Sequence, residues 1–119
     1  MIPVAKEVFP NFRGNKYGAR RTWSELCQRW FASQAEACRG EELRLMEKAG
    51  YINQLKYQIR FVLSKTPRVS LAVDFAYWED GKRVYEDVKG MGETREFRVK
   101  RLWLRDKLGI EVELVRPER

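Results

Sequence analysis

A single mixed α+β domain is what this sequence predicts, a central mixed β-sheet flanked by helices in the order α-β-β-β-α-β. Three observations carry that expectation. Residues 69–89, VSLAVDFAYWEDGKRVYEDVK, are two β-rich runs about Asp80-Gly81, a two-residue type I′ turn signal. Ser33 with Glu36 is a capping box before a helical stretch that Gly50 stops, and Thr94 opens a second stretch that Gly109 stops. The span from strand 83–89 through that second helix to strand 110–115 has the length of a βαβ crossover, so these strands are expected to be parallel.

Size and composition narrow the function. At 119 residues the chain has room for one domain and needs no covalent staple. No apolar run approaches the roughly 20 residues of a membrane helix, and the N-terminal stretch lacks a signal-peptide core. An intracellular protein with no membrane partner is expected. The 24 Lys and Arg against 17 Asp and Glu give a net charge of +7, a balance that favours a polyanionic partner, most simply nucleic acid. Cys27 and Cys38 match no zinc or redox spacing and read as reduced, part-buried thiols. There is no histidine, which removes Ser-His and Cys-His triads, His-metal nuclease motifs and zinc proteases together. Any catalysis must use carboxylates, Lys, Arg, Tyr or a metal.

Residues 1–21, with Pro3, Pro10, Gly14 and Gly18 among Lys6, Arg13, Lys16, Arg20 and Arg21, read as an irregular basic arm before a domain over 22–119. The arm either contacts phosphates, with Tyr17 stacking on a base, or is a solvated terminus. In 22–32, Thr22 with Glu25 would cap a helix, but Trp23, Trp30 and Phe31 suit a short hairpin, the preferred reading. The helix over about 34–49 places Ala35, Cys38, Leu45, Met46 and Ala49 on a broad apolar arc, with Glu36 roughly 20° from Leu43 at its margin. Glu36 can therefore face the sheet or merely complete the cap.

Tyr57, Ile59, Phe61 and Leu63 alternate with Gln58, Arg60 and Val62 in a strand ending at Lys65-Thr66-Pro67. In the helix after Thr94, Phe97, Leu104 and Leu108 form one apolar stripe and Val99, Leu102 and Trp103 another, as for a helix covered on more than one side. Arg98, Arg101 and Arg105 recur between them as a DNA-backbone track or a solvated face. Exposed rings among Trp23, Trp30, Phe31 and Trp103 would supply a homodimer interface, with core packing as the alternative use.

The central hairpin carries the chemistry. Pairing Glu79 with Lys82 sets Asp74 opposite Asp87, with Lys89 on the same face. Opposed residues have Cβ atoms about 4.5–5.5 Å apart, and like charges there repel. Something cationic belongs between them: either Lys89 as a salt bridge, or a divalent metal held by hard oxygen ligands with Lys89 left for a phosphate or a water. Ser70, Ala72 and Ala76 on that face leave space where a core would place bulk.

This order, with Asp74, then Asp87-Val88-Lys89, and an acidic residue on the preceding helix, resembles the PD-(D/E)XK nuclease superfamily. More closely, the chain is similar to a family of small, largely uncharacterised phage endonuclease-like proteins, through Asn15-Lys16-Tyr17-Gly18-Ala19, Phe31-Ala32-Ser33-Gln34-Ala35-Glu36-Ala37, Val73-Asp74-Phe75, Glu86-Asp87-Val88-Lys89-Gly90 and Thr94 to Lys100. The resemblance implies a restriction-endonuclease-like core in which Glu36, Asp74 and Asp87 bind Mg²⁺ or Mn²⁺ and Lys89 stabilises developing charge or helps deprotonate the attacking water. Gln58 matches a glutamine near the site, although Ile59 follows where proline is expected, and Val73 replaces the leading proline. Implied with it are DNA as partner, through Lys16, Arg20, Arg21, Arg98, Arg101 and Arg105, and the cytoplasm of a phage's host as location. The expected function is a metal-dependent DNA endonuclease of phage recombination or DNA processing, including branched DNA. The alternatives are a non-catalytic nucleic-acid-binding or assembly protein on the same fold, and a structural phage component whose Asp–Lys cluster is only a salt bridge.

Overall fold

In the computed structural model, which describes residues 20–117, eight elements follow the expected order. They are β1 (Thr22–Ser24), β2 (Arg29–Phe31), α1 (Gln34–Lys48), β3 (Asn53–Lys65), β4 (Arg68–Glu79), β5 (Lys82–Val88), α2 (Arg95–Leu108) and β6 (Val112–Val115). A four-stranded sheet runs β3-β4-β5-β6, antiparallel except for the parallel β5–β6 pair that α2 connects. The preceding β1–β2 hairpin forms its own two-stranded sheet, as its aromatic content suggests. No helix among the described residues is long and apolar enough to cross a membrane.

Local signals set these boundaries. Asp80 and Gly81 both have positive φ, 53° and 77°, as a type I′ turn requires, and Glu79 pairs with Lys82. Ser33 accepts a hydrogen bond from the Glu36 amide and Thr94 from the Phe97 amide, while Gly109 closes α2 in the left-handed region. β3 begins at Asn53 rather than near Tyr57, because Asn53 and Lys56 pair with Trp78 and Ala76 across a bulge that absorbs the irregular start.

Two cores lie on the two sides of β5. Val84 and Val88 pack with Phe31, Ala37, Leu43, Phe75 and Tyr77, the α1 side; Tyr85 packs with Val73, Phe97, Leu104 and Val112, the α2 side. Along β4 the alternating stripe passes from the α2 core at Leu71 and Val73 to the α1 core at Phe75 and Tyr77, as the twist of a long hairpin allows.

Both helices correct the expected apolar faces. The buried side of α1 is Glu36, Ala37, Gly40 and Leu43, while Cys38, Leu45 and Ala49 are exposed. The reason is Gly40: a Cβ there would lie 2.7 Å from Phe31 Cζ and 3.3 Å from Phe75 Cε1, so the helix docks through its smallest residue. On α2 only Leu104 is fully buried, and Val99, Trp103 and Leu108 face solvent, so the helix is covered on one side rather than several. Phe31 is core, and Cys38 is an exposed free thiol rather than a part-buried one. Ala76 is fully buried and offers no space.

One buried polar group binds α1 to the sheet. Glu86, 2% exposed, accepts two hydrogen bonds from Arg39 at 2.9 and 2.7 Å and a third from the Tyr77 hydroxyl. Burial and then the Glu86 carboxylate push the Tyr77 phenol above its ordinary range. A fork-to-fork pair of this kind is strong only while both partners are present.

Gly40→Ala is expected to lower stability by about 1–3 kcal/mol, because overpacking against the Phe31 ring outweighs the ~1 kcal/mol gained in helix propensity. Urea unfolding measures the sign; an unchanged or raised midpoint would mean that the hairpin gives way freely.

Candidate active site

The β4–β5 ladder ends with Phe75 paired to Glu86. Beyond it, Asp74 and Asp87 stand opposite one another as the register requires, but side chains replace the backbone bonds. The Asp74 amide donates to Asp87 Oδ1 at 3.0 Å, and the Val88 amide donates to Asp74 Oδ2 at 2.9 Å. Each aspartate thus closes the other's strand where the two strands part.

The remaining oxygens are also engaged. Asp87 Oδ2 receives Lys89 Nζ at 2.8 Å, and Asp74 Oδ1 receives Gln58 Nε2 at 3.2 Å. The same Gln58 nitrogen donates to Glu36 Oε2 at 3.1 Å, so Gln58 bridges α1 to β4. It does so from a left-handed backbone, φ 54°, opposite Asp74 on β3, a conformation few non-glycine residues hold. Lys89 is fixed three ways: by Asp87, by its amide bond to the Val115 carbonyl on β6, and by its ammonium 3.4 Å from the centre of the Phe97 ring.

Glu36 turns to the sheet while its own amide completes the Ser33 cap, so both expected uses of this residue coexist. It is 7% exposed and Asp87 5%. Burial, and then the Glu36 charge, push Asp74 up to about 6; burial, and then the Asp74 charge, push Asp87 up to about 6, against the opposing pull of Lys89. Glu36 is raised as well, first by burial, although a hydrogen bond shared with Asp74 opposes the shift. Three desolvated carboxyls face one lysine, so the cluster favours taking up protons or a cation.

Among the described residues no group of three or more acidic or cysteine side chains is already arranged around a common metal position. The donor chemistry nonetheless fits a hard cation: all candidate donors are carboxylate oxygens, negative charge is in excess, and every Asp74 and Asp87 oxygen with a bond here keeps a second lone pair.

The expected DNA contacts divide. Lys16, with most of the 1–21 arm, lies outside the described residues. Arg20 is exposed, and the Arg21 guanidinium lies 5.0 Å from the Trp30 ring centre. Arg98 is exposed on α2, but Arg101 is held by Glu93 through two nitrogens and Arg105 pairs loosely with Glu111 at 3.6 Å. The basic ridge is thus partly neutralised. Two cations were not singled out by sequence, Arg29, whose charge reaches Glu36, and Arg60. Arg60 projects from the Gln58 face of β3 and donates to Ser70 at 2.9 Å. Its place two residues from Gln58 in an alternating strand was the available signal.

Residues 14–115, which include every member of this cluster, match a protein family described as being of unknown function, DUF1064. The chain belongs to that family. No curated protein and no solved structure matches it. DUF1064 thus names a group that includes this chain and assigns no chemistry to the carboxylates.

A carboxyl raised above its ordinary 3.8 contributes stability fully below about pH 4, and that contribution is lost as pH rises through about 6. In metal-free buffer Asp74→Asn should therefore be more stable than wild type near neutral pH, by about 1 kcal/mol or more, with the difference shrinking toward pH 4. Urea unfolding across that range checks it; a variant less stable at neutral pH would show that the hydrogen bonds of the carboxylate outweigh its burial.

Proposed function

We propose that this chain is a metal-dependent DNA endonuclease, a hydrolase of phosphodiester bonds serving phage recombination or DNA processing, with branched DNA among its substrates. One observation carries the reading: Glu36, Asp74 and Asp87, distant in sequence, converge as desolvated carboxyls with Lys89 beside them. The resemblance to PD-(D/E)XK nucleases and a restriction-endonuclease-like core points to the same four residues, and the net charge of +7 suits a polyanion.

Glu36, Asp74 and Asp87 would hold Mg²⁺ or Mn²⁺, which when bound supplies an acidified water and neutralises phosphate charge. The chain's own residues do the rest. The Val88 and Asp74 amides hold the two aspartates in place. Gln58 keeps Glu36 and Asp74 together against their mutual repulsion. Lys89, steadied by Asp87 and Phe97, presents its ammonium where negative charge develops on the phosphate. Glu86, on the opposite side of β5 from Asp87, has both carboxylate oxygens on Arg39, which keeps that carboxylate out of the chemistry.

A second reading has its own observation. All four Asp74 and Asp87 oxygens already have protein partners, which suits a non-catalytic nucleic-acid-binding or assembly protein that retains the fold. Its binding would weaken steeply with salt and need no divalent metal.

Supercoiled, linear and four-way-junction DNA incubated with Mg²⁺, Mn²⁺ or EDTA separates the two. Metal-dependent cutting that falls by roughly 10²-fold or more in Asp74→Ala, Asp87→Ala and Lys89→Ala, with unchanged circular dichroism, is the expected outcome. Full cutting by all three variants, or binding without cutting under every metal, removes the endonuclease reading.

A further inference from the structure

Four arginines among the described residues end on carboxylates: Arg39 on Glu86, Arg44 on Glu47, Arg101 on Glu93 and Arg105 on Glu111. Arg29 does not. It sits on β2 opposite Ser24, with its guanidinium 4.3 Å from the Tyr57 ring centre and 5.5 Å from that of Phe31. Those two rings meet edge-on at 5.8 Å, so Arg29 lies over a packed aromatic pair. Its Nε is sealed from solvent without a hydrogen-bond partner, and Arg29 makes no ion pair among the described residues.

Only the Nε of Arg29 is sealed in this way; its two terminal nitrogens keep their N–H groups for another partner, and their edge of the guanidinium matches a phosphate or carboxylate. The neighbourhood decides which. Tyr57 adjoins Gln58 on β3, and Arg29 is close enough to Glu36 for its charge to favour the ionised carboxyl. Arg29 therefore stands at the rim of the carboxylate cluster, and an anion there would be a substrate group.

We propose that Arg29 is the phosphate clamp of this site, braced on Tyr57 and Phe31 and donating its free guanidinium edge to a backbone phosphate of the DNA strand. The proposal rests on DNA being the substrate and deepens that reading: Arg29 acts in binding and orientation, before any chemistry. Phosphate contact through one cation carries no sequence preference, so the clamp sets strand position rather than base choice.

The test is binding of a labelled duplex and of a four-way junction by full-length protein in EDTA, over a series of salt concentrations. Arg29→Met, which keeps an apolar stem over the rings, should bind about 10-fold more weakly, with the log–log salt slope shallower by about one. Arg29→Lys should restore the slope and most of the affinity, and thermal midpoints should stay close to that of wild type. Should Arg29→Met fail to fold, Arg29→Gln carries the same expectation. Unchanged affinity and slope in the folded neutral variant, or no salt-dependent binding by wild type, overturns the proposal. Arg29-dependent binding without metal-dependent cutting would leave the clamp standing and remove only the endonuclease reading.

Discussion

Everything near the candidate site depends on the exchange between Asp74 and Asp87. A sheet that simply continued would have paired these residues through their backbones and left two like charges side by side. Instead each carboxylate takes an amide of the opposite strand, so the strands separate while every donor at the fork stays satisfied. Gln58, Lys89 and Glu36 then arrange themselves around oxygens whose positions the backbone already determines. The repulsion that remains is the expense of assembling acids in a dry place, and it is typical of groups kept for function rather than for stability.

The position of α1 follows from two contacts of opposite character. Gly40 sets how closely the helix lies against Phe31 and Phe75, while Arg39 on Glu86 sets its placement along the sheet. Close packing alone would permit sliding, and a buried ion pair alone contributes little net stability against its desolvation. Together they place Glu36 over Gln58 and Asp74 from an element that begins far away in sequence. The cap at Ser33 adds to this by fixing the first turn of the helix, where Glu36 lies.

Much of this was legible in the sequence, for reasons local to the chain. The Asp80-Gly81 turn determined the β4–β5 register and so the opposition of Asp74 and Asp87; Ser33, Thr94 and Gly109 marked the helix ends; the crossover length predicted the parallel edge strand. The helix faces were not legible, because an apolar count gives Gly40 no weight and overvalues Leu45, Val99 and Trp103. The Glu86–Arg39–Tyr77 cluster joins three elements and has no short-range signature. Arg29 was hidden for a related reason, since the rings it lies against, Phe31 and Tyr57, come from two different strands. Gln58 was noticed by likeness, but its left-handed backbone could be known only from the structure.

The adjacent acids Glu86 and Asp87 also guard against a misthreaded strand. They point to opposite sides of β5, one into the Arg39–Tyr77 cluster and the other to the lysine side. If β5 slipped by one residue, every side chain would change faces. A slip in either direction then gives Arg39 and Tyr77 either Tyr85 or the shorter Asp87 in place of Glu86, and gives Asp74 either Val88 or the longer Glu86 in place of Asp87. A frameshifted pairing of similar hydrophobicity is thereby made unequal to the native one, and the two acids together act as an alignment key for the strand.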